Sequence, residues 1–125
     1  MLAKIINRLR NGYIVYHFGV SFKEVRFCTK VLDILWKENL IKGYTKTNED
    51  IITVLLRYHD GSPICTRLVV ISRPRDRIYL SLLDLVRLSN DNDFGVLILS
   101  TTKGIMTNEQ CIRKGEGGEI LAYAA

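Results

Sequence analysis

The pentad Ser100-Thr101-Thr102-Lys103-Gly104 bunches three hydroxyls, an ammonium and a glycine in five consecutive residues. In a turn at the end of a strand, such groups aim hydroxyls and backbone N–H groups at phosphate, ribose or base edges, and glycine permits close approach. Three residues on, a helix expected to begin at Thr107 adds a second group of N–H donors that favours anions. The same residues also suffice for a polar β–α turn with a helix cap and no ligand.

Three further groups accompany it. Gly115-x-Gly117-Gly118-Glu119 lacks the spacing of a dinucleotide fingerprint, and no Walker lysine–hydroxyl pair is present. It reads as flexible backbone approaching a partner, or as a helix exit beside a tight turn. Arg73, Arg75 and Arg77 beside Tyr79 suit RNA through phosphate pairing and stacking, or an exposed edge whose charges discourage strand pairing. Lys4, Arg8 and Arg10, with Asn7 and Asn11, fall on the exposed side of a first helix, either as a solvated face or as a phosphate-contacting one.

Covalent and acid–base chemistry finds no support. His17 and His59 are isolated, and Asp33, Glu38, Asp84 and Glu119 form no recognisable acid/base pair. Cys28, Cys65 and Cys111 stand in no C-x-x-C arrangement and match no common zinc module. They read as buried or half-buried free thiols in a reducing compartment. The expectation is a protein that is not an enzyme and has no cofactor and no metal.

Composition agrees with a binding protein. The 125 residues are 47% hydrophobic and 25% charged, with a net charge of +5, which suits one average domain or two small ones sharing a seam. Residues 1–62 hold ten Lys/Arg against six Asp/Glu, and residues 63–125 eight against seven. A polyanion would be drawn to the first half, and a site in the second must work by hydrogen bonding and shape. The longest apolar runs, Gly95 to Leu99 and Ile51 to Leu56, are strand-length, so no membrane partner is expected. The N-terminus has neither a secretory pattern nor a transit peptide, which fits synthesis at the place of work or a start after processing.

The elements that must position these groups follow from periodicity. Leu2, Ile5, Ile6, Leu9 and Tyr13 make one helical stripe, with Asn11-Gly12 as the stop signal though the helix could persist through Tyr13. A second helix fits Lys23 to Asn39 on Val25, Cys28, Val31, Leu32 and Leu35, with Asn39 as its cap and Trp36 covering the edge. Ile41 to Thr45, Ile51 to Tyr58 and Ile64 to Ser72 read as strands, with Asp60-Gly61 as a turn. Ser72-Arg73-Pro74 breaks the ladder and marks the domain junction. Beyond it come a short strand Arg77 to Leu80, a helix or irregular segment Leu82 to Leu88, and a polar loop Ser89 to Asp93. A strand Gly95 to Ser100, a capped helix Thr107 to Lys114 and a closing strand Glu119 to Tyr123 complete the chain.

Several strings, in order, resemble the small-subunit ribosomal protein eight family. They are Arg8-Leu9-Arg10-Asn11-Gly12, Lys37-Glu38-x-Leu40-Ile41, Arg57-Tyr58-x-x-Gly61, Ser72-Arg73-Pro74-x-x-Arg77-Ile78-Tyr79 and Gly117 to Tyr123. The most specific of them is Ser100 to Thr107. The resemblance spans nearly the whole chain. It implies an α+β fold of two small domains: an N-terminal α-β-α-β-β sandwich-like domain at 1–71 and a C-terminal, mainly β domain with short helices at 72–125. It also implies a structural constituent of the small ribosomal subunit that binds the central domain of its rRNA and touches neighbouring small-subunit proteins, without a small-molecule substrate. The RNA-reading residues implied are Ser100, Thr101, Thr102, Lys103, Gly104, Gly118 and Glu119, with Tyr79 nearby. Departures are Arg75 for a usual glycine, Thr102 for a usual serine, Lys4 for a usual acidic residue, a clipped leader before the first helix and a slightly expanded loop at Ser89 to Asp93. They suggest an organelle-type member working in the mitochondrial matrix, with a bacterial cytoplasm or a plastid ribosome as the alternatives. The rival reading is a protein–protein adaptor in another ribonucleoprotein particle.

Overall fold

The computed structural model describes residues 2–25, 27–90 and 95–125. The Leu2 side chain and residues 91–93 of the polar loop lie outside the described residues. The chain divides into two compact units, Met1–Leu68 and Val69–Ala125.

The first unit holds α1 (Leu2–Ile14), β1 (Gly19–Lys23), α2 (Cys28–Lys37), β2 (Ile41–Lys46) and β3 (Ile51–Leu56), followed by a small hairpin of β4 (Tyr58–His59) and β5 (Ser62–Pro63). Its sheet is antiparallel in the order β1-β3-β2. On β3 every second residue, Ile52, Val54 and Leu56, is buried, as period two demands of a strand with one face inward. Ile5, Ile6, Leu9 and Tyr13 of α1 and Cys28, Val31, Leu32 and Leu35 of α2 are buried as the helical period predicts.

Two expectations need correction here, and an open alternative is settled. Asn11-Gly12 does not end α1, which persists through Tyr13 to Ile14. Gly12 lies inside the helix, where a Cβ would stand 2.7 Å from Val20 Cγ1 and 3.0 Å from Leu56 Cδ1, so its missing side chain lets helix and sheet approach closely. The helix closes later, with His17 N–H bonded to Gly12 O and Tyr16 in the left-handed region. The second helix begins at Cys28, not Lys23, because Gly19–Lys23 finds a strand partner in β3. Its end is as expected: Asn39 is left-handed, Asn39 N–H reaches Trp36 O, and Leu40 N–H reaches Leu35 O, a Schellman closure. Finally, the alternation of Ile64 to Ser72 is realised only over β6 (Leu68–Val70), since alternation makes a strand only where a partner strand lies alongside.

Tyr13 ties this unit together. Its hydroxyl donates to Leu40 O at 2.5 Å and accepts Arg57 N–H at 3.3 Å. Burial pushes its phenol up to about 12 from 10.0. The hydrogen bond to the Asp33 carboxylate raises Tyr44 in the same way, also to about 12. With both folded values raised, the unfolded chain loses these protons first, so their stabilisation is complete below pH 10 and falls between about pH 10 and 12. In urea melts, Tyr13→Phe is expected to start about 1 kcal/mol less stable and then to lose stability less steeply over that window. Equal slopes for the two proteins would contradict it.

The second unit contains β7 (Tyr79–Leu80), α3 (Leu82–Ser89), β8 (Val96–Thr101), β9 (Gly104–Thr107), α4 (Asn108–Lys114) and β10 (Gly118–Ala124). The sheet order is β6-β10-β8-β9, with β7 also paired to β10. Leu85, Leu97, Leu99, Met106, Cys111 and Ile120 form its core. The chain is therefore α+β. Strand β9 replaces the expected β–α turn, so the hydroxyl pentad sits on a hairpin. The three cysteines are buried, and none is in a disulfide.

The Thr107 cap is formed as its spacing predicted: Thr107 Oγ1 accepts Gln110 N–H at 3.2 Å, and Gln110 Oε1 accepts Thr107 N–H at 3.1 Å. Thr107→Val is expected to cost about 1 kcal/mol of stability, read by denaturant melts.

Candidate nucleic-acid interface

Residues directly opposed on neighbouring antiparallel strands share a face. Tyr79 on β7 opposes Glu119 on β10, which opposes Ser100 on β8. The next row, Ile120, Leu99 and Met106, points into the core. Tyr79, Glu119 and Ser100 therefore stand in one row on the outer face of the sheet, and Tyr79 is 63% exposed.

The β8–β9 turn rises at the end of that row. Thr101 pairs with Gly104 across a two-residue loop, Thr102-Lys103. The left-handed residue is Gly104 at φ 116°, which is why a glycine ends the pentad. Thr101 builds the turn: its hydroxyl accepts Lys103 N–H at 3.2 Å and donates its single proton to Gly104 O at 2.9 Å. Thr102 Oγ1 donates to Glu116 Oε2 at 3.3 Å, and Lys103 Nζ lies 3.4 Å from Glu116 Oε1. Ser100 Oγ has no partner among the described residues. The three hydroxyls are thus not equivalent: Thr101 shapes the bend, while Ser100 and Thr102 face outward.

Gly118 has an internal reason to be glycine. A Cβ there would lie 2.5 Å from Ser100 O and 3.0 Å from Thr101 Cγ2. Its bareness lets β10 press against the strand that carries the pentad.

Arg73 and Asp76 close a tight hairpin over Pro74-Arg75 through paired backbone hydrogen bonds of 3.1 and 3.0 Å. Arg75 lies outside the left-handed region, so the turn has no need of the glycine usual in the family the sequence resembles. Ser72 Oγ accepts Ile78 N–H at 3.0 Å and holds the hairpin's return into β7. Arg73 and Arg75 make no ion pair among the described residues, and Arg77 Nε lies 4.0 Å from Glu119 Oε1. The structure thus places Tyr79, Glu119 and Ser100 in one outward row, with Arg77 beside Glu119, the turn from Thr101 to Gly104 at the end of the row, Gly118 pressed against the strand that carries the turn, and the arginine hairpin leading into β7.

Lys4, Arg8, Arg10 and Asn11 are exposed on α1, in the other unit. Arg8 is partly structural there, since its Nη1 donates to Ser21 O. Arg10 borders a cleft of about 360 Å³ lined also by Tyr13, Ile14, Tyr16 and Leu68. Sequence reasoning missed Glu116, whose clamp on the turn needs a third-dimension neighbour to be seen. It also missed the exposed apolar run of Ile14, Val15, Tyr16 and Phe18, whose only signal was hydrophobicity continuing past the helix. Among the described residues no group of His, Cys, Asp or Glu is placed to hold a metal, and no helix is long and apolar enough to cross a membrane.

A family model described as Ribosomal protein S8 matches residues 1–124. The small ribosomal subunit protein uS8m of Acanthamoeba castellanii is 36% identical over 121 residues, covering 97% of this chain and 95% of the relative. The uS8 protein of Mesorhizobium japonicum is 35% identical over 124 residues, covering 96% and 92%. That of Shewanella loihica is 32% identical over 126 residues, covering 99% and 95%.

Proposed function

The chain belongs to the ribosomal protein S8 family, and from that premise we propose that it binds the central domain of small-subunit ribosomal RNA through the outer face of its second unit. The family is a structural one, not an enzyme family. The observation that carries the reading is the row Tyr79, Glu119 and Ser100 ending in the Thr101-built turn, on the face opposite the core. An exposed ring supplies stacking, Ser100 and Thr102 supply hydroxyls, and Arg73 and Arg75 are cations that form no ion pair among the described residues. With eight Lys/Arg against seven Asp/Glu in residues 63–125, such a face must read shape and exposed bases in an irregular RNA helix, not bulk charge.

Neighbouring small-subunit proteins are the fitting partners for the exposed Ile14, Val15 and Phe18 of the first unit. The mitochondrial matrix is the proposed setting. The mitochondrial relative and the departures at Lys4, Arg75 and Thr102 support it, against a bacterial relative of nearly equal identity.

Titrating the purified chain against a central-domain fragment over a salt series tests the function. Engagement of about three phosphates by Arg73, Arg75 and Arg77 predicts a slope of log K on log salt of about −3. A slope near zero, together with association to small subunits that survives nuclease, would favour the adaptor reading instead.

A further inference from the structure

Glu116 stands at the exit of α4, where an apolar residue is the common choice. Helix α4 ends in a Schellman closure, with Gly115 N–H on Ile112 O at 3.2 Å and Glu116 N–H on Cys111 O at 2.9 Å. The residue in Glu116's place commonly makes an apolar contact with the helix it leaves. Here the backbone is pinned to a fully buried Cys111, and Glu116 lies close enough for its charge to help burial push the Cys111 thiol up. The side chain turns to the β8–β9 turn, one carboxylate oxygen on the Thr102 hydroxyl and the other beside the Lys103 ammonium. Lys103 is 54% exposed, so this is a solvent-screened pair that a ligand can open.

We propose that Glu116 is a specificity-determining residue of the RNA-binding face, a reading that rests on the function proposed above. In the free protein its carboxylate accepts the hydrogen bond of the Thr102 hydroxyl and screens the one cation of the turn. A phosphate arriving at Lys103 meets a competing anion already in place. What the turn leaves open are acceptors: the Thr102 oxygen lone pairs, the remaining carboxylate lone pairs of Glu116 and, at the end of the same row of strands, the Glu119 carboxylate. The complementary partner offers donors that a duplex keeps paired, which in RNA are the amino and imino groups of unpaired bases. A regular duplex presents its phosphates outward and keeps most base donors paired. Glu116 therefore discriminates folded RNA with exposed donors from generic duplex.

The test compares the full chain with its Glu116→Gln, Glu116→Leu and Glu116→Asp variants. Each is titrated with a central-domain rRNA fragment and with a generic RNA duplex of equal length, over a salt series. For the generic duplex, Glu116→Gln and Glu116→Leu are expected to bind about three- to tenfold tighter, with the salt slope steeper by about one because Lys103 is released to a phosphate. The fragment gains less or weakens, so preference falls about tenfold. Glu116→Asp recovers part of the preference. Glu116→Leu places an apolar side chain at the helix exit, so retained melting behaviour beside lost preference separates specificity from folding. If the variants keep the wild-type ratio and slopes, the role assigned to Glu116 is wrong and the RNA reading stands. If the wild-type chain itself shows no preference, the RNA reading falls first and this inference falls with it.

Discussion

Gly118→Ala is expected to weaken RNA binding by more than tenfold and to destabilise the second unit by about 1–3 kcal/mol, the usual cost of forcing extra volume into a packed region. The new methyl would stand 2.5 Å from Ser100 O, a backbone atom in the middle of a sheet. It cannot be relieved by a rotamer change, so β10 must move away from β8. That movement pulls Glu119 out of its row with Ser100 and Tyr79 and presses on Thr101 Cγ2, 3.0 Å from the same point. Stability and affinity are lost together because one contact serves both. Denaturant melts and titration of the central-domain fragment read the two losses. A variant that melts earlier but binds as the wild type does would show that the row is not the docking surface.

Thr101→Val is expected to reduce affinity by about 1–3 kcal/mol, roughly 5- to 150-fold, with a smaller loss in stability. Valine has nearly the same shape as threonine, so packing changes little. What disappears is the hydroxyl that accepts Lys103 N–H and donates to Gly104 O. Without those bonds the two-residue loop gains conformational freedom, and docking must restrict it again. Thr101→Ser keeps the hydroxyl and is expected to stay close to wild type. Thr102→Val removes the 3.3 Å bond to Glu116 and an outward hydroxyl but no bond that shapes the turn, and is expected to cost less than Thr101→Val. Reversal of that order, with Thr102 the more sensitive, would mean that direct contact outweighs turn geometry.

Much of the architecture was legible in residue order because local chemistry decides it. The stripe of α1, the Thr107 capping box, the Asn39 helix exit and the Asp60-Gly61 bend each depend on residues within a few positions of one another. The strings from Ser72 to Tyr79, Ser100 to Thr107 and Gly117 to Tyr123 likewise pointed to the family that the full-length comparisons show. Misreadings occurred where a distant neighbour had the deciding vote. Gly19–Lys23 became a strand because β3 lay ready to pair with it, Gly12 stayed inside a helix that approaches Val20 and Leu56 closely, and Ile64–Arg67 stayed out of any strand despite good alternation.

The candidate site divides along the same line. Sequence alone determined which groups gather near the C-terminal end: hydroxyls, glycines, a tyrosine and arginines, with too little net charge to act by attraction alone. Only the tertiary structure decided what each does. Thr101 became a builder, Gly118 a point of strand contact, and Glu116 a clamp on the turn it follows by thirteen residues or more. The physical reason is that hydrogen bonds and steric exclusion act over a few ångströms. Sheet pairing sets those distances between residues far apart in the chain, and no spacing along the chain encodes them directly.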